Sequence, residues 1–173
     1  MKDKLDKNKE LDFLNNLVID YKDVSPYSKI KKNIIIDLIT KSVLNPEMKN
    51  SLQMGCSNGY ETEQLSKMFE TLDVVDGSSI FIEKLKNKYE KTNVKMVLSL
   101  FEDMPKALNY KKYDYIFCNY VLEHVHDSVE VMKLMKELLS EKGSIFIVVP
   151  NGEALSRQIA KKIGFLQDLV ELS

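Results

Sequence analysis

The chain has 173 residues, 44% hydrophobic and 29% charged, with a formal net charge of −1, which fits one domain and predicts no extended nucleic-acid footprint. Met1 to Glu10 mix lysines and acids with no apolar run behind them, so no signal peptide is expected, and the longest apolar stretch, Ile145 to Pro150, is far short of a membrane span. The only cysteines, Cys56 and Cys118, exclude a disulfide scaffold and favour a reducing, cytoplasmic setting.

Leu11, Leu14, Val18 and Tyr21 recur at helical spacing, and Ile30, Ile34, Leu38 and Ile39 repeat the pattern after Ser25-Pro26. Asn45-Pro46 ends this second helix, and residues 1–48 are expected to pack as a helical segment on a core formed by 49–173. From Ser51 short apolar strands alternate with amphipathic helices. Ser51 to Met54 reads as a strand, and Leu65, Met68 and Phe69 mark the inner face of the following helix. Leu72 to Asp76 is the next strand, followed by a helix capped by Ser78 that turns Phe81, Leu85 and Tyr89 inward. Val94 to Ser99 contains Lys95 and reads as an edge strand.

Tyr113 to Asn119 is a fourth strand. A helix from about Asp127 buries Val131, Met132, Met135, Leu138 and Leu139 and is predicted to stop at Gly143. Ile145 to Val149 is a fifth, almost wholly apolar strand, and Glu153 to Ile163 is helical. This alternation predicts an α/β fold, a doubly wound, mainly parallel sheet of about five strands behind two N-terminal helices, because each parallel crossover needs a helix. Ligands of such sheets bind beyond the carboxyl ends of the strands, where the winding reverses.

The first loop at those ends is Gly55-Cys56-Ser57-Asn58-Gly59, a strand-to-helix turn with a glycine at each end. Glycine lets the backbone approach a ligand closely, and the N–H groups opening a helix favour a negative group. Asp76 ends the second strand about 20 residues further on, where a carboxylate can accept both hydroxyls of a ribose. Gly55-Cys56-Ser57-Asn58-Gly59 also spells the G-x-S-x-G elbow of α/β-hydrolases, with Ser57 as nucleophile and His124 or His126 as base. A nicotinamide dinucleotide site is a further reading, but Glu61 and Thr62 follow Gly59 where a third glycine is needed. His124-Val125-His126 lacks further histidine or cysteine to complete a metal site, and no metal is expected.

Taken together, the ordered loops resemble class I S-adenosylmethionine-dependent methyltransferases, the small-molecule subgroup in particular. The runs that carry this are Gly55 to Gly59, Val75-Asp76-Gly77-Ser78, Ser99 to Pro105, Tyr113 to Val125 and Gly143 to Asn151. The resemblance covers Ser51 to Ile163 and implies a Rossmann-like domain with S-adenosyl-L-methionine as cofactor. It implies that Gly55, Cys56, Ser57 and Gly59 cradle the methionine portion, that Asp76 holds the ribose, and that Gly77 follows it at the cofactor-binding position next to the adenine. Phe101, Glu102 and Asp103 would surround the adenine, and Asn119 would pass the sulfonium. His124 is the candidate proton acceptor beside the methyl pocket. The acceptor is left open between a small metabolite, a sugar, a lipid-like quinone and a protein side chain, the resemblance favouring a small molecule, and neither nucleic acid nor a membrane is expected as a partner.

The sequence departs from the family pattern at four places. Gln53 stands where the family has an acid, Ser57 replaces the middle glycine, and Gly77 replaces an apolar residue against the adenine. These imply weaker cofactor binding than is usual. The sixth and seventh strands that close family sheets are missing after Val149, so the chain is expected either to be part of a longer protein or to cover that sheet edge with a partner, such as a second copy. A module that binds the cofactor without transferring methyl is the remaining expectation.

Overall fold

The computed structural model describes residues 7–20, 26–43 and 49–164. Helices α1 (Lys7–Asp20) and α2 (Pro26–Ser42) precede strands β1 (Asn50–Met54), β2 (Thr71–Asp76), β3 (Val94–Leu98), β4 (Tyr113–Asn119) and β5 (Leu139–Val148). The strands are connected through α3 (Tyr60–Leu65), α4 (Ser79–Tyr89), α5 (Met104–Ala107) and α6 (Ser128–Leu138), and α7 (Leu155–Lys162) follows β5. All pairings are parallel in the order β3-β2-β1-β4-β5. The winding therefore reverses between β1 and β4, and the crevice for a ligand opens beyond their carboxyl ends.

Period-2 alternation splits the core into two layers. Tyr115 and Phe117 of β4 pack with Leu72, Val74, Leu65 and Phe69 on one face, whereas Ile116 and Cys118 pack with Leu52, Met54, Met135 and Leu138 on the other. The first layer is rich in rings, with Phe69 to Tyr115 and Phe117 to Phe146 each 5.3 Å between centroids. Cys56 belongs to the first layer and Cys118 to the second, and both are free, buried thiols. Burial pushes both up, Cys118 to about 12.

Ser78 caps α4 as expected, accepting from the Phe81 N–H, and β3 lies at a sheet edge. Ile82 joins Leu85 and Tyr89 on the buried face of α4, while Phe81 is only partly buried. Three helix readings need correction. The helix after β1 ends at Leu65, so Met68, in a turn, and Phe69 follow it rather than lie on its inner face, although Phe69 is still buried in the first core layer. The buried face of α2 carries Ile35 and Ile39, whereas Ile30, Ile34 and Leu38 are 56%, 55% and 58% exposed. The spacing is equally helical for either row, and packing against α3 selects the first.

The helix predicted to run to Gly143 ends at Leu138, and Leu139 is already extended with ψ 138°. Met132 is correspondingly 38% exposed. Gly143 does not cap a helix. A Cβ there would lie 3.0 Å from the Asp114 carbonyl and 2.8 Å from Leu139 Cδ1, so glycine serves the close approach of β5 to β4. The register jumps from Tyr113–Leu139 to Tyr115–Ser144, a bulge in which β5 carries the extra residues. Asp114 anchors this corner, accepting from Ser140 Oγ and from the backbone N–H groups of Lys49 and Asn50 that open β1.

β5 is the other sheet edge, with Ile147 and Val149 exposed beside it, and no sixth strand occurs among the described residues. Tyr21 and the stretch after Gly164 lie outside the described residues. Among the described residues no helix is long and apolar enough to cross a membrane.

Candidate functional site

The crevice holds a cavity of about 230 Å³ bounded by the loops after β1, β2 and β4, the turn after β3, and residues of α1 and α2. The loop after β1 is a chain of left-handed residues: Gly55 at φ 74°, Ser57 at 47° and Gly59 at 80°. The Gly55 N–H donates to the Val75 carbonyl and Gly59 N–H to the Cys56 carbonyl, so the turn closes tightly on the sheet. A side chain at Gly55 would place its Cβ 2.8 Å from Val121 Cγ2. Gly59 initiates α3 against Leu85 and lies outside the cavity lining, unlike Gly55, Cys56 and Ser57.

Asp76 sits at the cavity floor, only 8% exposed. Its Oδ2 accepts from the Cys56 N–H at 2.8 Å and the Cys56 thiol at 3.3 Å, and its Oδ1 accepts from the Ser78 N–H at 2.8 Å. The carboxylate therefore clamps the first two loops together before any ligand arrives. Oδ1, with one donor, keeps acceptor capacity for a ribose hydroxyl, whereas Oδ2 already takes two.

Gly77 has a role the sequence reading missed. A Cβ there would lie 2.5 Å from Leu14 Cδ1, so the missing side chain is replaced by Leu14 from α1, which lines the cavity together with Leu100. Phe101 and Glu102 line the same wall from a short 3-10 turn. Asp103 does not join them; it forms an ion pair with Lys7 of α1.

The opposite wall comes from β4 and α3. Asn119 Nδ2 donates to Glu61 Oε1 at 2.5 Å, and burial raises the Glu61 carboxyl above its ordinary value against the pull of Asn119 and Lys32. Gln53 is buried beside Gly55, donating its Nε2 to the Gly55 carbonyl at 2.9 Å. Tyr120, at φ 55°, lines the cavity with Lys31 of α2 5.2 Å from its ring centroid. His124 lies at the rim, exposed, on a 3-10 turn after β4. His126 is also exposed, and no group of metal-binding side chains forms among the described residues. Ser57 Oγ, the hydrolase nucleophile of the alternative reading, has no hydrogen-bond partner and so no base poised on it.

A parallel β3-β2-β1-β4-β5 sheet with a left-handed turn after β1 and an acid ending β2 defines the class I methyltransferase architecture. A profile described as a methyltransferase domain matches residues 27–168, and the chain belongs to that family. It is 29% identical over 153 residues to the tRNA U34 carboxymethyltransferase of Campylobacter fetus subsp. fetus, covering 79% of this chain and 53% of that protein. It is 31% identical over 125 residues to the ubiquinone biosynthesis O-methyltransferase of Pelagibacter ubique, covering 70% of this chain and 51% of that protein.

The chain thus spans about half the length of these curated relatives. The plantazolicin methyltransferase BamL, in complex with a triazolic desmethylPZN analog and SAH, superposes with a TM-score of 0.68 at 20% identity, covering 96% of this chain and 69% of that one. The N-methyltransferase NodS of Bradyrhizobium japonicum, with S-adenosyl-L-homocysteine, gives 0.62 at 19% identity, covering 82% and 69%. Methyltransferases of this family take their methyl group from S-adenosyl-L-methionine.

Proposed function

We propose that this chain binds S-adenosyl-L-methionine in the crevice beyond β1, β2 and β4 and transfers its methyl group to a small-molecule acceptor. The observation that carries this reading is Asp76, a buried carboxylate at the end of β2 that is locked to the first loop yet faces the cavity. The residues present fit the cofactor: Gly55 keeps a Cβ out of the loop, Asp76 retains acceptor capacity for ribose, and unpaired acceptors line the opposite wall.

When bound, the sulfonium supplies an activated methyl whose C–S bond breaks as the bond to the acceptor forms, leaving a neutral thioether. The protein's part is to position the two reactants and exclude water. Phe101, Leu14 and Leu100 supply apolar contact for the adenine, and Glu102 stands beside it as an acceptor for its amino group. Asp103, tied to Lys7, steadies α1 over the cofactor rather than touching it. His124 at the rim takes the proton that an O–H or N–H acceptor must lose.

The acceptor is proposed as small because apolar and aromatic side chains from α2 and the loop after β4, namely Ile35, Tyr120, Val121 and Val125, line its side of the cavity. The tRNA-acting relative makes transfer RNA the comparison to include. The test is a thermal-shift series with S-adenosyl-L-methionine, S-adenosylhomocysteine, NAD and an unrelated nucleotide, followed by transfer of labelled methyl to small-molecule or tRNA pools. Stabilisation by the first two alone is expected. Stabilisation by NAD, or by none of them, would overturn the reading, and binding without any transfer would leave a cofactor-holding module.

A further inference from the structure

The wall formed by β1, β4 and α3 has an uneven chemistry. Gln53 is 2% exposed and spends its amide N–H on the Gly55 carbonyl, leaving its Oε1 buried without a partner. Asn119 spends its N–H on Glu61 and leaves its Oδ1 buried without a partner as well. Glu61 is a carboxylate with Oε2 to spare, held among these groups by a six-residue helix rather than on the protein surface. Gln53, Asn119 and Glu61 all line the one cavity.

Gln53 Oε1 and Asn119 Oδ1 are buried acceptors without donors, and the single charge among the three side chains is the carboxylate of Glu61, which also feels Lys32 across the same cavity. Buried acceptors without donors are costly, and several facing one cavity call for a ligand that brings the donors. A primary ammonium meets the requirement: it carries three N–H donors, no acceptor and one positive charge. A hydroxyl would bring one donor, too few for the two orphaned acceptors, and no charge of its own for Glu61.

We infer that Glu61 is the anionic partner of the ammonium group on the methionine portion of the cofactor, with Gln53 Oε1 and Asn119 Oδ1 as its neutral partners. The inference rests on the cofactor reading above. Desolvation raises the Glu61 carboxyl, so an incoming cation completes a site the protein maintains at some cost to its own stability. Gln53 fits the same scheme, because a second carboxylate in this wall would repel Glu61, whereas an amide adds an acceptor without charge.

The experiment is calorimetric titration at neutral pH of the unaltered chain and Glu61→Gln. The probes are S-adenosylhomocysteine and its desamino analogue, in which the α-amino group is removed and the chain ends in a butanoate. Glu61→Gln keeps the shape and the acceptor for Asn119. It should weaken S-adenosylhomocysteine by roughly 10- to 100-fold, the loss of one charge-assisted hydrogen bond, and leave the desamino analogue unchanged. The ligand-free variant should melt at or above the temperature of the unaltered chain, because a desolvated carboxylate has been removed.

Affinity for S-adenosylhomocysteine unchanged by Glu61→Gln would overturn the assignment while leaving the cofactor reading intact. So would equal losses for both probes, which would make Glu61 a merely structural residue. If the unaltered chain bound neither probe, the cofactor reading itself would fail and take this inference with it.

Discussion

Replacing Asp76 by alanine removes the acceptor for two buried backbone N–H groups, those of Cys56 and Ser78, each held at 2.8 Å. Hydrogen bonds to a charged group contribute about 1.5–3 kcal/mol each, so the pair sets the loss of stability at about 3–6 kcal/mol before any ligand is considered. For a chain of this size about 1 kcal/mol moves the melting temperature by about 2–4 °C, and a drop of at least about 6 °C is expected. The assay is thermal unfolding of the ligand-free protein by circular dichroism, with cofactor binding measured separately below the transition. Asp76→Asn keeps one acceptor oxygen and should lie between the two. A ligand-free melting temperature within about 2 °C of the unaltered chain would refute the clamp. Lost binding in Asp76→Ala is then no proof of a ribose contact unless Asp76→Asn, still folded, loses affinity too.

Gly55→Ala puts a Cβ into a left-handed residue and 2.8 Å from Val121 Cγ2, and should cost at least about 1 kcal/mol and weaken S-adenosylhomocysteine in calorimetry. Ser57→Gly relieves left-handed strain against the entropy of a glycine, so stability should change by less than about 1 kcal/mol. Cofactor affinity should hold or tighten, and a roughly tenfold loss would instead make the hydroxyl a ligand contact. His124→Ala should cut turnover of an acceptor that must shed a proton while leaving cofactor affinity unchanged, and an equal rate would remove His124 from the mechanism. Burial holds Cys118 up at about 12 against 9.0, so its contribution to stability is complete below pH 9 and is lost as pH climbs towards 12. Neither thiol should react with a thiol reagent in the native chain at mildly alkaline pH, and both should react in urea; a fast native reaction at Cys118 would contradict its burial.

Much of the candidate site was legible because it depends on local backbone chemistry. A glycine at each end of the first turn and an aspartate ending the next strand are demands of the chain itself, and Gly55 and Asp76 meet at one cavity as expected. The same local logic was silent on Leu14 and Glu61. Leu14 belongs to a helix far away in the chain, and only its packing over Gly77 makes it part of the site. Glu61 entered the sequence reading only as a residue following Gly59 where a dinucleotide turn needs glycine, and its place in the wall depends on β4 bringing Asn119 against it. The departure at Gln53 was visible, but its neighbour in space was not.

The sequence by itself determined the order of the five strands and the turns after β1 and β2, because strand alternation, caps and left-handed residues are set by near neighbours. Only the tertiary structure decided which helical face is buried, Ile35 and Ile39 rather than Ile30 and Ile34, and where α6 gives way to β5. Those choices rest on contacts between segments distant in the chain. Spacing along one helix cannot say which stripe its neighbours will cover, and a glycine cannot announce whether it ends a helix or admits an adjoining strand.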